Sequence, residues 1–174
     1  MSASLSFRRS CAALLVPCAF APAAASPVAA NQDSSASVAI LHPLEILKRE
    51  DLDFGRVMVP TAPGTVVIDP NTNLISSTGG LVLLGGTPHA ARFTGAAKSS
   101  SVVNIKIPKQ PITLTRVGGG GTMTVSKFTL QGLDKRQAAK NVAFDFRVGA
   151  TLNVNANQAE GVYLGTFDVS IQYP

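Results

Sequence analysis

Apolar and polar residues alternate with a period of two along much of this chain, most cleanly near its end. From Val142 to Val154 every apolar side chain except Ala143 falls on an even position, and polar residues or glycine take the others. Side chains in an extended chain point to opposite faces in turn, so this pattern predicts a strand with one buried face. A second stretch, Tyr163 to Tyr173, places Tyr163, Phe167, Val169, Ile171 and Tyr173 on one face and Thr166, Asp168, Ser170 and Gln172 on the other. The polar segment Asn155–Gly161 between them suits a connection of antiparallel neighbours, so the pair predicts a β-hairpin covered on one face by the rest of the chain. The first arm would extend about 43 Å at about 3.3 Å per residue, long for a globular strand. Gly149 at its middle offers a bend through which it can pass from one sheet to another.

Upstream the same reading predicts a series of shorter strands. Val38, Ile40, Leu44 and Ile46 alternate around Pro43, which has no N–H to give to a ladder and so points to an edge position. Lys48 to Asp53 reads as a charged connector, and Leu52-Asp53-Phe54-Gly55 as an apolar anchor closed by glycine. Gly64 to Ile68 is a β-branched strand stopped at Asp69-Pro70, and residues 71–80 are rich in turn formers. Leu81 to Leu84 is continuously apolar between glycine pairs, the pattern of a strand buried on both faces. Further strands are expected at Ala90 to Thr94, Val102 to Ile107 and Ile112 to Val117, followed by the glycine loop Gly118–Gly121. Thr122 to Leu130 is also a strand, but Met123, Val125 and Lys127 oppose Thr124, Ser126, Phe128 and Leu130, so neither face is apolar throughout. Gln131 to Asn141 has helix-forming composition without an apolar stripe, which predicts a loop with at most one helical turn. Eight or nine short strands, glycine- and proline-rich connections and no substantial helix indicate an all-β fold, an antiparallel β-sandwich or barrel.

The first 30 residues have a different character. Arg8 and Arg9 precede an apolar run from Cys11 to Phe20 and a stretch of small residues ending in Ala30, the layout of a secretory signal peptide. Residues 31–37 read as a short flexible segment and 38–174 as a single β-sandwich domain. Cleavage after Ala30 leaves 144 residues without cysteine, because Cys11 and Cys18 are both removed. Stability must then come from a hydrophobic core instead of disulfides. The formal net charge of +5 falls to +3 with loss of Arg8 and Arg9, and the remaining basic residues are scattered with no aromatic interleaving. Nothing in this pattern suggests nucleic-acid binding, and no segment after the signal is long and apolar enough to span a membrane as a helix.

Chemistry-bearing residues are sparse. His42 and His89 have no serine or carboxylate signature beside them, and no His or Cys spacing suggests a metal site. Glu50, Asp51 and Asp53 fall together in the charged connector, and Asp145 and Arg147 share a strand face as an expected surface ion pair. Gly118–Gly121 leads into a strand and lacks the lysine of a phosphate loop. These observations lead to an expectation of no enzyme activity and no cofactor.

The segments Leu52-Asp53-Phe54-Gly55, Gly64 to Ile68, Gly79 to Leu83, Ala91 to Gly95, Thr122 to Val125, Phe146 to Leu152 and Gly161 to Phe167 together resemble the bacterial domain of unknown function 4402 family. That family is similar in layout to chaperone–usher pilins and to spore-coat-U-like subunits. The resemblance implies an immunoglobulin-like sandwich, exported to the periplasm, cell surface or medium, chiefly in Gram-negative bacteria. It further implies a fibre or coat subunit assembled by strand complementation, with like or unlike subunits and a periplasmic chaperone as partners. Pilin subunits end on an alternating strand with a penultimate aromatic, which Phe167, Val169, Ile171 and Tyr173 match as a strand-assembly face. A donor segment, or else the domain's own first strand, would come from Val38, Ile40, Leu44 and Ile46. The alternative is a self-complete secreted or periplasmic module that binds envelope glycan through Ser76–Gly80, Gly118–Gly121 and Asn155–Gly161.

Overall fold

The computed structural model describes residues 44–174, and these contain strands, turns and loops but no helix. The signal segment, residues 31–37, Val38, Ile40 and His42 lie outside the described residues. Thirteen strands are formed, several of only two or three residues. The amino-terminal half holds β1 (Leu44–Glu50), β2 (Arg56–Val57), β3 (Gly64–Ile68), β4 (Ile75–Ser77), β5 (Leu83–Gly85) and β6 (Ala91–Ala97). The remainder holds β7 (Ser101–Lys106), β8 (Ile112–Arg116), β9 (Thr122–Leu130), β10 (Lys135–Ala138), β11 (Ala143–Val154), β12 (Tyr163–Leu164) and β13 (Ser170–Gln172). All the strand pairings are antiparallel.

The largest sheet runs β1-β6-β11-β9-β8-β12, with β3 and β4 attached beyond β11. β11 pairs with β6 over Ala143–Val148, then on the same edge with β3 over Thr151–Val154, while β9 takes its other edge. The exchange of partner falls at Gly149, but β11 stays within one sheet throughout, so the passage from one sheet to another expected at this glycine does not occur. A Cβ there would lie 2.1 Å from the Ile68 carbonyl oxygen and 2.7 Å from Pro70 Cδ, so only glycine lets the end of β3 approach. Opposite this point β9 carries a bulge. Gly149 pairs with Thr129 and Thr151 with Ser126, leaving Lys127 and Phe128 together against Ala150, with Lys127 at φ 50°. The bulge moves the inward face from Met123 and Val125 to Phe128 and Leu130, which is why no single alternation spans β9 in the sequence.

A second sheet, β10-β7-β13, packs face to face on the β6–β11 half of the first. Alternation in β6 and β11 directs Ala91, Phe93, Phe146 and Val148 inward, where they meet Ile105 of β7. Phe93 and Phe146, directly paired across the strands, stack with ring centroids 5.4 Å apart. Burial of each such side chain contributes about 2–3 kcal/mol. The other half of β11 sends Ala150, Leu152 and Val154 into a separate cluster with Val66, Ile68, Val125, Phe54 and Leu81. The β2–β5 ribbon contributes Val57 and Leu83 to its margin.

Four further expectations are corrected by this arrangement. The two carboxy-terminal arms do not pair with each other: β12 joins β8 and β13 joins β7, so the chain after Asn155–Gly161 leaves β11. Both edges of β11 are already taken by β3, β6 and β9, and no place is left for a hairpin partner. Leu81–Leu84 is not buried on both faces; Leu81 is inside, but Val82 and Leu84 are exposed, because the segment forms a two-stranded ribbon open to solvent on one side. Gln131–Asn141 contains β10 in place of a helical turn, and Ala138 is the one residue of that strand packed into the core. The charged residues Lys48, Arg49 and Glu50 belong to β1, whose exposed edge position, anticipated from Pro43, accommodates them.

Gly149→Ala is expected to destabilise the fold by about 3 kcal/mol, since backbone must shift to admit the methyl group. A thermal melt of the variant within about 2 °C of the parent would show that the β3 approach is not constrained there.

Candidate functional site

β1 is hydrogen-bonded to β6 on one edge, and β13 to β7 on one edge. Their remaining edges carry no strand partner among the described residues, although the two strands run near one another at the margin where the sheets meet. The result is a seam where two strand edges lie close together over apolar side chains, with no described strand hydrogen-bonded between them. Leu44 and Ile46 lie on β1 opposite Ala97 and Gly95. Ile171 of β13 reaches over Gly95, where an added Cβ would meet Ile171 Cδ1 and Phe144 Cζ at 2.6 Å each.

The four carboxy-terminal residues singled out from sequence do share one side. Phe167, Val169 and Ile171 pack against the Phe93–Phe146 cluster, and Ile171 and Tyr173 against Ala97, Val103 and Ala138. Phe167 meets Phe93 edge-on at 6.4 Å and Phe128 at 5.2 Å. All four nevertheless remain only half-buried, whereas Val103 and Ile105 on the neighbouring β7 are fully inside. On β1, Leu44 is half-buried, Ile46 is 39% exposed and Leu47 is 54% exposed. Leu44 packs on the same three buried residues as Tyr173. The proposed donor or first-strand residues Leu44 and Ile46 are therefore held within this domain by β6.

The loops named from sequence gather at the far end of β11. Arg116 donates from Nε to the Glu160 carbonyl at 2.5 Å and from Nη1 to the Gly119 carbonyl at 3.0 Å, which ties the glycine loop to Asn155–Gly161. Gln158 is buried, donating to Tyr163 Oη at 2.8 Å and to the Thr122 carbonyl at 3.1 Å. Gly79 abuts Pro63 and Gly64, and Gly64 pairs with Val154, the residue that leads into Asn155. Arg116 and Gln158 thus tie the glycine loop and Asn155–Gly161 to one another and to β9.

On the outer face of the large sheet the expected Asp145–Arg147 pair is replaced by a cross-strand one. Asp145 accepts from Arg92 Nη2 and from Thr94 Oγ1, both at 2.6 Å, and Arg49 Nε donates to Thr94 Oγ1 at 3.1 Å. The Thr94 hydroxyl and then Arg92 hold the Asp145 carboxyl below its ordinary range, and Asp145 raises Arg92 in return. Sequence spacing pointed to Arg147 because it is on the same face two residues away; Arg92 lies on the next strand, opposite Arg147, where only register reveals it. Arg136 stands over the Phe146 ring at 5.7 Å and donates to the Leu133 carbonyl at 2.8 Å and to the Gln131 carbonyl. Burial pushes its pKa down. This guanidinium holds the turn before β10 against the core. His89 bonds to the Thr87 carbonyl through Nδ1 at 2.5 Å and bridges Asp53 by backbone only, and no metal-binding cluster exists among the described residues.

The depressed carboxyl of Asp145 has a definite sign in stability. Its contribution is complete above the unfolded aspartate value near 3.9 and is lost as pH falls through the lower folded value. Asp69, lowered chiefly by the Asn71 backbone N–H, acts in the same direction. Asp145→Asn is expected to melt below the parent at pH 6, with the difference shrinking as pH falls from the unfolded aspartate value through the lower folded one. A difference that stays constant with pH in paired melts would show that the carboxylate charge is irrelevant there.

The family model for "Domain of unknown function (DUF4402)" matches residues 44–173, which spans β1 to the penultimate residue. No curated protein and no solved structure matches the chain. The family match takes in both strands of the seam and all of the core, and on this ground the chain belongs to the DUF4402 family.

Proposed function

We propose that this protein is an exported, non-catalytic structural subunit of a bacterial surface fibre or coat, assembled by addition of a strand from a neighbouring subunit. The observation that carries the reading is the seam: two adjacent strands, each with one edge that no described strand pairs, beside an apolar stripe of Phe167, Val169, Ile171 and Tyr173 that stays half-buried. A free edge beside incompletely covered apolar side chains is a template for strand addition, in which main-chain bonds supply affinity and alternate side chains fill the pockets. In the same reading the two packed layers form an immunoglobulin-like sandwich that lacks one strand. Because Leu44 and Ile46 are engaged with β6, the donated segment is taken from upstream of β1, with Val38 and Ile40 as its apolar positions. A periplasmic chaperone would occupy the seam before assembly, consistent with a signal segment at residues 1–30.

A second reading, the self-complete binding module for envelope glycan, is favoured by the shared packing of Leu44 and Tyr173, which draws one end of the seam together within the chain. Size-exclusion chromatography and a thermal melt of the purified protein without partners separate the two. The fibre reading predicts polymers or aggregates, and a stable monomer once a peptide of residues 34–42 or a chaperone is supplied. At a hundredfold excess over its dissociation constant the peptide would add about 2.7 kcal/mol of stability. A clean monomer with a cooperative melt that the peptide does not shift would overturn strand addition and leave the binding module.

A further inference from the structure

A groove of about 780 Å³ opens between β7 and β9, within the size range of about 300–1,000 Å³ for small-molecule sites. Its apolar lining comes from Ile105 and Ile107 on one wall and Phe128 and Leu130 on the other. The bulge at Lys127 creates that second wall by turning Phe128 and Leu130 inward. β8 pairs with β9 only as far as Val125, so no strand covers this wall from the β8 side. The segment Lys106–Lys109 also lines an adjoining groove of about 350 Å³ beside Phe167.

The rim is charged with one sign. Lys106, Lys109, Lys127 and Lys135 all line the groove and are exposed, against a single carboxylate, Asp134. None of the four lysines is in an ion pair among the described residues. On the wall, Asn104 Oδ1 is buried and accepts no hydrogen bond. A buried acceptor without a donor is costly, and it marks a place where a hydroxyl would be received. Four ammonium groups around an apolar trough complement a molecule that is anionic at one end and hydrocarbon at the other.

We propose that this groove binds a single-chain anionic phospholipid with a hydroxyl-bearing head, its acyl chain on the half-buried Ile107, Phe128 and Leu130 above the buried Ile105, and its phosphate among the four lysines. The glycerol hydroxyl then donates to Asn104 Oδ1. An added peptide strand fits less well, because the free edge of β9 is only Lys127–Leu130 and the bulge twists it out of ladder geometry. The groove shares β7 with the seam, since Asn104, Ile105 and Lys106 pair with Gln172, Ile171 and Ser170 of β13, but no residue of β1 or β13 lines it.

The test is titration of the purified protein with dodecanoyl-lysophosphatidylglycerol below its critical micelle concentration, followed by calorimetry and by methyl NMR shifts. Dodecanoyl-lysophosphatidylcholine, with the same chain and a zwitterionic head, is the comparison, and Lys106→Glu/Lys127→Glu is the variant. Saturable binding with shifts at Ile105, Ile107 and Leu130 is expected. It should be at least about tenfold weaker for the choline lipid and for the variant, whose melt stays at the parent value because both lysines are exposed. Equal affinity for the two lipids, parent-like affinity in the variant, or shifts confined to β13 would overturn the proposal. So would an acidic, alternating peptide that saturates the same methyl shifts where the lipid produces none, since that result assigns the groove to strand addition.

Discussion

The fold depends on β11 being paired along both edges by three different strands. An interior strand of twelve residues that holds one set of neighbours in its first half and another in its second must bend without losing its ladder. Gly149 supplies the bend by letting the Ile68 carbonyl approach its Cα, and the β9 bulge absorbs the offset on the other side. Each half of β11 then feeds its own core cluster, one built on Phe146 and Val148, the other on Ala150, Leu152 and Val154. Neither cluster needs a disulfide, consistent with the confinement of cysteine to Cys11 and Cys18.

The same constraint explains why the margin of the molecule is open. With β11 saturated, the carboxy-terminal strand pairs with β7 and ends a three-stranded sheet, its other edge without a strand partner among the described residues. β1 ends the larger sheet in the same way. Charged residues at Lys48, Arg49 and Glu50 protect part of β1 from indiscriminate pairing, and Ile46 and Leu47 leave its other part apolar. An edge that is guarded at one end and apolar at the other is suited to a chosen partner.

Elsewhere polar groups are largely spent on the protein itself. Arg116 and Gln158 bind loops together, Arg136 holds the β10 turn over Phe146, and Asp145 is shared between Thr94 and Arg92. The lysines around the β7–β9 groove form the contrasting case, since they share a rim with one carboxylate and face apolar walls. The seam and the groove are thus the places where apolar side chains of the described residues stay only partly covered.

Periodicity alone established the all-β class and the strands from Gly64 to Ile68, Val102 to Ile107 and Val142 to Val154, because alternation is a local property of the backbone, whereas the expected passage of the last strand between sheets at Gly149 did not occur. It also identified Phe167, Val169, Ile171 and Tyr173 as one apolar side. Which strand each stretch would meet was not local. The apparent hairpin failed because β11 had no free edge, and Asp145 chose Arg92 over Arg147 because register placed a cation across the ladder. The face of β9 was illegible because a bulge at Lys127 inserts one residue and inverts the alternation, and β10 was hidden because its single core residue is an alanine. Sequence determined where the chain can extend and which side is apolar. Hydrogen-bond partners between distant strands are set only when the sheets assemble, so the open seam and the lysine-rimmed groove belong to the tertiary structure.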